Sequence, residues 1–369
     1  MVMKKNRLLI FSPCCHIMLF IILGTVILFH GCEKNPEGIT ASFYPLADEN
    51  NIDGQQLAEA FTTVRQIQQM KAFLVARNGI IVAEESFNDF HPGSLHDVRS
   101  VTKSITSILI GIALQLGFIT SIDQSIADYL EPLVEIFPEE QRTITIRHLL
   151  TMSGGYDWAE FGDWSEYSLW NNAPNQLEYI LNKPVIHSPG TLFNYNDGAC
   201  HLLSLIITQA SGMNTHEFAR QYLFTPLEIA GTDWLADNQG YSKGCVGLQL
   251  SPHDMFKLGQ LFLQVGEYHG ARIVSSEWVN ESTRPQISSS GVIPYGNSYG
   301  YLWWNDTVRG YPIYMAMGYG GQFIFCVPRL SLVVVSQCLW NVEDQQAGMN
   351  WMTIIDVIVN QVLPAVRGE

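Results

Sequence analysis

Ser100-Val101-Thr102-Lys103 is the segment of this chain with the clearest capacity for chemistry. A serine hydroxyl is almost never ionised at neutral pH, so it becomes a nucleophile only with help from a base. On a helix, residues i and i+3 share a face, which brings a lysine amine to the serine oxygen. Burial disfavours the ammonium form, and the neutral amine accepts protons. A helix N-terminus adds partial positive charge that favours a developing oxyanion. No other lysine of the chain has a serine three residues before it. The pair also opens a largely apolar run, residues 101–116, straight after the polar stretch 94–99, where an exposed helix start is expected. On residues alone two readings stay open: a nucleophile with its base, or ordinary polar residues at a helix start.

The elements that must position this pair are legible from periodicity. Leu57, Phe61, Val64 and Ile67 recur at helical spacing, predicting a helix over residues 55–70. Residues 72–87 read as a hairpin turning at Asn78-Gly79, the strongest short hairpin signal. The apolar run 101–116 predicts a largely buried helix. The middle of the chain is mostly helical pattern broken by Gly and Pro, including 202–210 and 215–223. Strands return at 299–304, 311–317, 322–327 and 332–337, followed by an apolar helix over 351–362. Strands first, helices in the middle and strands last imply an α/β fold: a sheet flanked by helices, with an inserted all-helical domain. The expected division is a leader at 1–32, a tether at 33–54, a sheet domain from 55–104 and 246–369, and a helical domain at 105–245.

Composition narrows the function classes. With 47% hydrophobic and 15% charged residues the chain can fill a core. It carries 20 basic against 35 acidic residues and no basic stripe, which argues against a nucleic-acid partner. Lys4, Lys5 and Arg7 precede an apolar run from Ile17 to Phe29, and Cys32 follows Phe29-His30-Gly31. This start resembles a lipoprotein leader with Cys32 as the lipid site; the alternative is an uncleaved anchor, since Leu8 to Phe29 nearly suffices to span a bilayer. Either way the rest is expected outside the cytoplasm, tethered to the membrane. Cys200, Cys245, Cys326 and Cys338 lie far apart with no CxxC pair, so disulfides and buried thiols both remain open and a zinc cluster is not expected. Histidines 148, 187, 201, 216 and 253 show no ligand spacing, and no metal or cofactor is expected.

Five ordered segments carry a family resemblance. Arg99-Ser-Val-Thr-Lys-Ser104 resembles the nucleophile motif of class C β-lactamases, DD-peptidases and their esterase and amidase relatives. Segments 146–155, 189–198, 247–254 and 317–322 resemble, in the same order, the family's inner helix, Tyr motif, late helix entry and final active-site strand. The resemblance implies a β-lactamase/DD-peptidase-like fold over about residues 55–365 and an acyl-enzyme mechanism on a small-molecule ester or amide. It implies Ser100 as nucleophile, Lys103 as its partner and Tyr195 as proton relay, the phenol ionising easily in the company of cations. Tyr295-Gly296-Asn297 is a rival match but precedes a strand. The backbone N–H groups of Ser100 and Tyr319 would form the oxyanion hole.

The sequence also departs from that family. The usual Tyr-x-Asn is here Tyr195-Asn196-Asp197, and ionised Asp197 cannot donate to a substrate but can pair with Lys103. Before Gly318 stand Ala316 and Met317, where β-lactamases and DD-peptidases have a cation and a hydroxyl; this version looks more like 6-aminohexanoate-dimer (nylon oligomer) hydrolases. The expected substrates are therefore small and neutral, with β-lactams and cell-wall peptides as the alternative and a silent binding protein as another. Arg147 and Arg309 are the candidates for receiving a carboxylate elsewhere in the cleft. Asp197, Gly318, Gly320 and Trp158 are the expected substrate contacts. The acidic, aromatic stretch 156–170 reads equally as a lid or as an anchored loop.

Overall fold

The computed structural model describes residues 44–368, so the expected leader, Cys32 and the first part of the tether lie outside the described residues. Thirteen strands occur among the described residues: β1 (Met70–Arg77), β2 (Ile80–Ser86), β3 (His96–Asp97), β4 (Asp233–Trp234), β5 (Leu248–Leu250), β6 (Glu267–Tyr268), β7 (Ala271–Arg272), β8 (Ile287–Ser288), β9 (Ser298–Tyr299), β10 (Trp304–Val308), β11 (Tyr311–Gly318), β12 (Gln322–Val327) and β13 (Leu332–Cys338). Eight of them form one antiparallel sheet in the order β2-β1-β13-β12-β11-β10-β9-β8. A second, three-stranded sheet has the order β3-β5-β4.

Every residue of β12 and β13 is buried, because helices cover both faces of the main sheet. Successive strand residues point to opposite sides. Ile324 and Val333 lie against Gly259 of the helix Pro252–Leu263, whereas Phe323 packs its ring 6.1 Å from that of Trp351 in the helix Asp344–Val357. The β1–β2 hairpin turns at Asn78 (φ 55°) and Gly79 (φ 80°), the two left-handed positions a tight hairpin requires.

Helix α1 (Pro45–Glu49) and helix α2 (Gly54–Val64) precede the sheet, and α3 (Val101–Gln115) follows β3. Helix α3 is buried on all sides from Val101 to Ala113, as its apolar run predicts. Between β3 and β4 the chain is helical, its two longest pieces being α3 and Asp197–Ser211, 15 residues each. The described residues form one compact unit. No helix among them is long and apolar enough to cross a membrane.

Three expectations are corrected. The tether expected over 33–54 is, from residue 44 on, part of the fold: Ala47 and Ile52 are fully buried, Ile52 bridges to Val366, and Arg77 donates to the carbonyls of Asn50 and Asn51. The strand expected over 299–304 is broken. Gly300 donates to the Trp303 carbonyl at 2.8 Å, and Tyr301 and Leu302 bond to Ser282 and Leu150 instead of to a sheet neighbour. The last helix starts at Asp344, seven residues before its apolar face begins to dominate.

One close approach ties the sheet to the start of α3. A Cβ on Gly318, at the end of β11, would lie 2.4 Å from the carbonyl oxygen of Val98, two residues before Ser100. Gly318→Ala is expected to force these backbones apart and cost about 1–3 kcal/mol, the range for overpacking. Urea unfolding reads this as a lowered midpoint; an unchanged midpoint would show that β11 and residue 98 are not pinned together.

Candidate active site

Ser100 sits at the N-cap of α3, held from three directions. Val98 donates to the Leu248 carbonyl at 3.0 Å, and Gly318 lies against the Val98 carbonyl. Arg99 adopts φ 51°, a left-handed conformation that turns the chain sharply into the helix, and its N–H donates to Asp97 Oδ1 at 2.8 Å. One turn on, Lys103 is only 1% exposed, its ammonium donating to two oxygens and ion-paired with a carboxylate. Nζ lies 2.8 Å from Ser100 Oγ, 3.1 Å from the Cys245 carbonyl and 2.5 Å from Asp197 Oδ1.

Each of those acceptors is placed by a local device. Asp197 is the first residue of the helix Asp197–Ser211, whose N-cap Asn196 accepts from Ala199 N at 2.8 Å. The turn before Cys245 is fixed at Gly244: its carbonyl accepts from Thr106 Oγ1 at 2.7 Å, and its N–H donates to His201 Nδ1 at 3.3 Å. His201 Nε2 in turn lies 3.0 Å from Asp237, both side chains fully buried. His201 thus bridges Gly244 to Asp237, a structural task.

Tyr195 lies beside the pair. Its hydroxyl meets the Ser100 side chain, its ring is 4.8 Å from Lys103 Nζ, and it stacks on Trp304 at 5.9 Å. The expectation that this phenol ionises easily is corrected. Burial pushes its pKa up, Lys103 only partly offsets that, and the charge of Asp197 adds to it, so the phenol stays neutral. Lys103 behaves in the opposite sense to a lone buried amine. Burial works against its charge, yet the Asp197 carboxylate holds it well above the usual lysine range. The sequence's Asp in place of Asn is thus a counter-ion to Lys103, and it also lines one of the recesses at Ser100.

Two recesses meet at Ser100. One, of about 260 Å³, is walled by Phe161, Trp164, Ile293, Met317, Ala347 and Trp351, with Gly318 and Gly320 at its edge. The other, of about 310 Å³, is bounded by Arg99, Tyr167, Trp340, Asn341 and Asp344. Trp164 and Tyr319 border both, their rings 5.7 Å apart, and the Tyr319 hydroxyl donates to Asp344. Among the described residues, the backbone N–H groups of Ser100 and Tyr319 make no backbone hydrogen bond.

The aromatic stretch 156–170 proves to be both anchored loop and wall. Tyr156 and Trp170 are buried anchors, whereas Phe161 and Trp164 face the apolar recess. Trp158 is not a substrate contact: it is 5% exposed, and its Nε1 donates to Glu160 at 2.8 Å. Arg147 and Arg309 stand elsewhere, the first paired with Asp123 and Tyr301, the second bonded to the Val359 carbonyl. The cation that does reach the cleft is Arg99, but Asp97 pairs with its guanidinium at 3.3 Å and Trp340 stacks on it at 4.5 Å. Sequence reasoning passed over Glu160, Ile293, Asp344 and Trp351, which carry no motif. Cys200, Cys245, Cys326 and Cys338 are buried free thiols, and among the described residues no group of three or more His, Cys, Asp or Glu could hold a metal ion.

An antiparallel sheet with a helical lobe, and Ser and Lys one turn apart at the start of a buried helix, define the superfamily of serine β-lactamases and penicillin-binding proteins. The chain belongs to the Beta-lactamase family, whose sequence model matches residues 62–357, and it is a hydrolase of that family. It is 23% identical over 321 residues to the 6-aminohexanoate-dimer hydrolase of Paenarthrobacter ureafaciens, covering 80% of this chain and 79% of that one. A candidate 6-aminohexanoate-dimer hydrolase from Bacillus anthracis superposes with a TM-score of 0.69 at 19% identity, over 82% of each chain. EstCE1, a hydrolase with promiscuous acyltransferase activity, superposes at 0.68 and 15% identity, over 85% of this chain and 100% of its own. The octameric penicillin-binding protein homologue from Pyrococcus abyssi does so at 0.64 and 18%, over 82% and 77%. At these identities the solved structures share the fold.

The buried pair makes a stability prediction. Lys103→Met leaves Asp197 buried without a counter-charge and is expected to cost about 3–5 kcal/mol. Adding Asp197→Leu should recover most of that loss, because replacing both partners by apolar groups is close to neutral. A double variant as unstable as the single one in urea unfolding would show that the two charges are not coupled.

Proposed function

We propose that the chain is a serine hydrolase that cleaves esters or amides of small, neutral, partly apolar substrates through an acyl-enzyme on Ser100. The observation that carries this reading is the 2.8 Å contact between Lys103 Nζ and Ser100 Oγ at the mouth of two recesses. In the resting state the base is stored on Asp197. Across the 2.5 Å contact Asp197 takes a proton from Lys103, and the freed amine takes the Ser100 hydroxyl proton as Oγ bonds to the carbonyl carbon. The N–H groups of Ser100 and Tyr319 receive the oxyanion. Neutral Tyr195 gives its phenolic proton to the departing alkoxide or amine and regains one from the Lys103–Asp197 pair. Water then repeats the sequence and releases the acid.

The walls support neutral substrates. The apolar recess offers rings and aliphatic chains, and the one guanidinium at the other recess is already matched by Asp97. A charge-assisted bond to a substrate carboxylate contributes about 1.5–3 kcal/mol, and at these recesses the Arg99 charge is already paired with Asp97. We expect a p-nitrophenyl ester to give a much higher kcat/KM than a chromogenic cephalosporin on one preparation, with Ser100→Ala abolishing both activities. Preference for the cephalosporin would overturn the substrate reading and favour a β-lactamase or DD-peptidase.

The same reading places the enzyme outside the cytoplasm on a membrane tether. Its support is the basic start, the apolar run 17–29 and Cys32. Cys32→Ser is expected to release the protein from membranes or leave its leader uncleaved, as seen by fractionation and N-terminal mass. A membrane-bound mature form that retains Met1 would instead indicate an uncleaved anchor.

A further inference from the structure

Glu160 is a buried carboxyl that the scheme above does not use. It stands between Trp158 and Phe161 and is 4% exposed. Its Oε2 accepts from Trp158 Nε1 at 2.8 Å and from the backbone N–H of Asp197 at 2.9 Å. Its carboxyl also faces that of Asp197. The floor beneath Ser100 therefore holds two carboxyls, Glu160 and Asp197, against a single ammonium, Lys103, all at least 96% buried.

We propose that Glu160 is a positioning residue that works as a neutral acid, fixing the start of the helix Asp197–Ser211 and giving its proton to the Asp197 carboxylate in a hydrogen bond. One negative charge, on Asp197, then faces Lys103. This rests on the reading of Ser100 and Lys103 as the reacting pair. Two charged carboxylates would leave one without a counter-charge where both are at least 96% buried, which is costly enough that such a group keeps its proton. The other titratable groups beside the cluster supply no cation: Tyr195, Cys200 and Cys245 are each held neutral by burial. Arg99 is matched by Asp97. Burial and then the Asp197 charge push the Glu160 carboxyl well above the usual carboxylate range, against the smaller pull of Lys103. Glu160 touches neither recess. It acts through Asp197, whose orientation decides whether Lys103 meets Ser100.

The test compares Glu160→Gln and Glu160→Ala in the full chain. A glutamine keeps a carbonyl oxygen for Trp158 and Asp197 N and offers an N–H in place of the acid proton. We expect Glu160→Ala to lose about 10–100-fold in kcat on a p-nitrophenyl ester with KM little changed, the scale on which outer partners of a functional group act. Glu160→Gln should restore activity to within about threefold, with a pH profile of kcat/KM that overlays the parent's. Independently of turnover, the infrared difference spectrum of parent minus Glu160→Gln at neutral pH should show the C=O stretch of a protonated carboxylic acid. Absence of that band, a shifted pH profile in Glu160→Gln, a glutamine variant as weak as the alanine one, or an unaffected alanine variant would each overturn the proposal. A Ser100→Ala protein that kept turnover would defeat the serine reading while leaving the infrared result to judge Glu160.

Discussion

An ammonium taken out of water is tolerated only when its charge and its three donors are all met. Lys103 imposes that constraint at the start of α3, and separate parts of the chain meet it. The helix start at Asp197 supplies the charge, the loop at Cys245 supplies a carbonyl, and Ser100 supplies the last acceptor. Removing any one would leave the others misplaced or the charge unpaired. The surrounding devices, Asn196 capping its helix and His201 with Asp237 pinning Gly244, hold these acceptors where the ammonium can use them. A buried pair of this kind adds little net stability by itself. In the proposed mechanism it serves as a proton store next to a hydroxyl that has no base of its own.

The main sheet provides the other half of the arrangement. The end of β11 passes the residues before Ser100 closely enough that Gly318 cannot carry a side chain without displacing backbone. Tyr319 follows immediately, which sets its N–H beside the recesses and its ring against Trp164. The apolar recess on one side and the Arg99–Asp344 recess on the other give the two ends of a substrate different surroundings. On the proposed reading, that asymmetry would let the site favour one acyl and leaving-group combination over another.

Local signals made much of this legible. Asn78-Gly79 marks a turn because two left-handed positions in succession suit few other residues, and the chain turns there. The largely apolar run after Ser100, interrupted by little but small hydroxyls and Lys103, marks a helix buried all round, and α3 is one. Residues 44–54 misled because Pro45, Gly54 and the polar residues between them resemble a linker, whereas the carbonyls of Asn50 and Asn51 are taken up by Arg77 from across the fold. The break in the strand at Gly300 depends on partners at Ser282 and Leu150, more than a dozen residues away in sequence. Tyr195 was found by motif, but its neutral state follows from burial, which no motif reports. Glu160 lay hidden for the same reason: one glutamate in an acidic loop looks solvated until the loop folds it against Asp197.

The central claim is that Ser100, activated by Lys103, forms a covalent acyl or phosphonyl adduct. Reacting the protein with a fluorophosphonate and mapping the adduct by mass spectrometry tests it most directly. The account predicts one label, on the peptide that begins α3 and located at Ser100, with labelling lost in Ser100→Ala and strongly slowed in Lys103→Ala. A label on a different residue, or unchanged labelling in a folded Ser100→Ala protein, would contradict it.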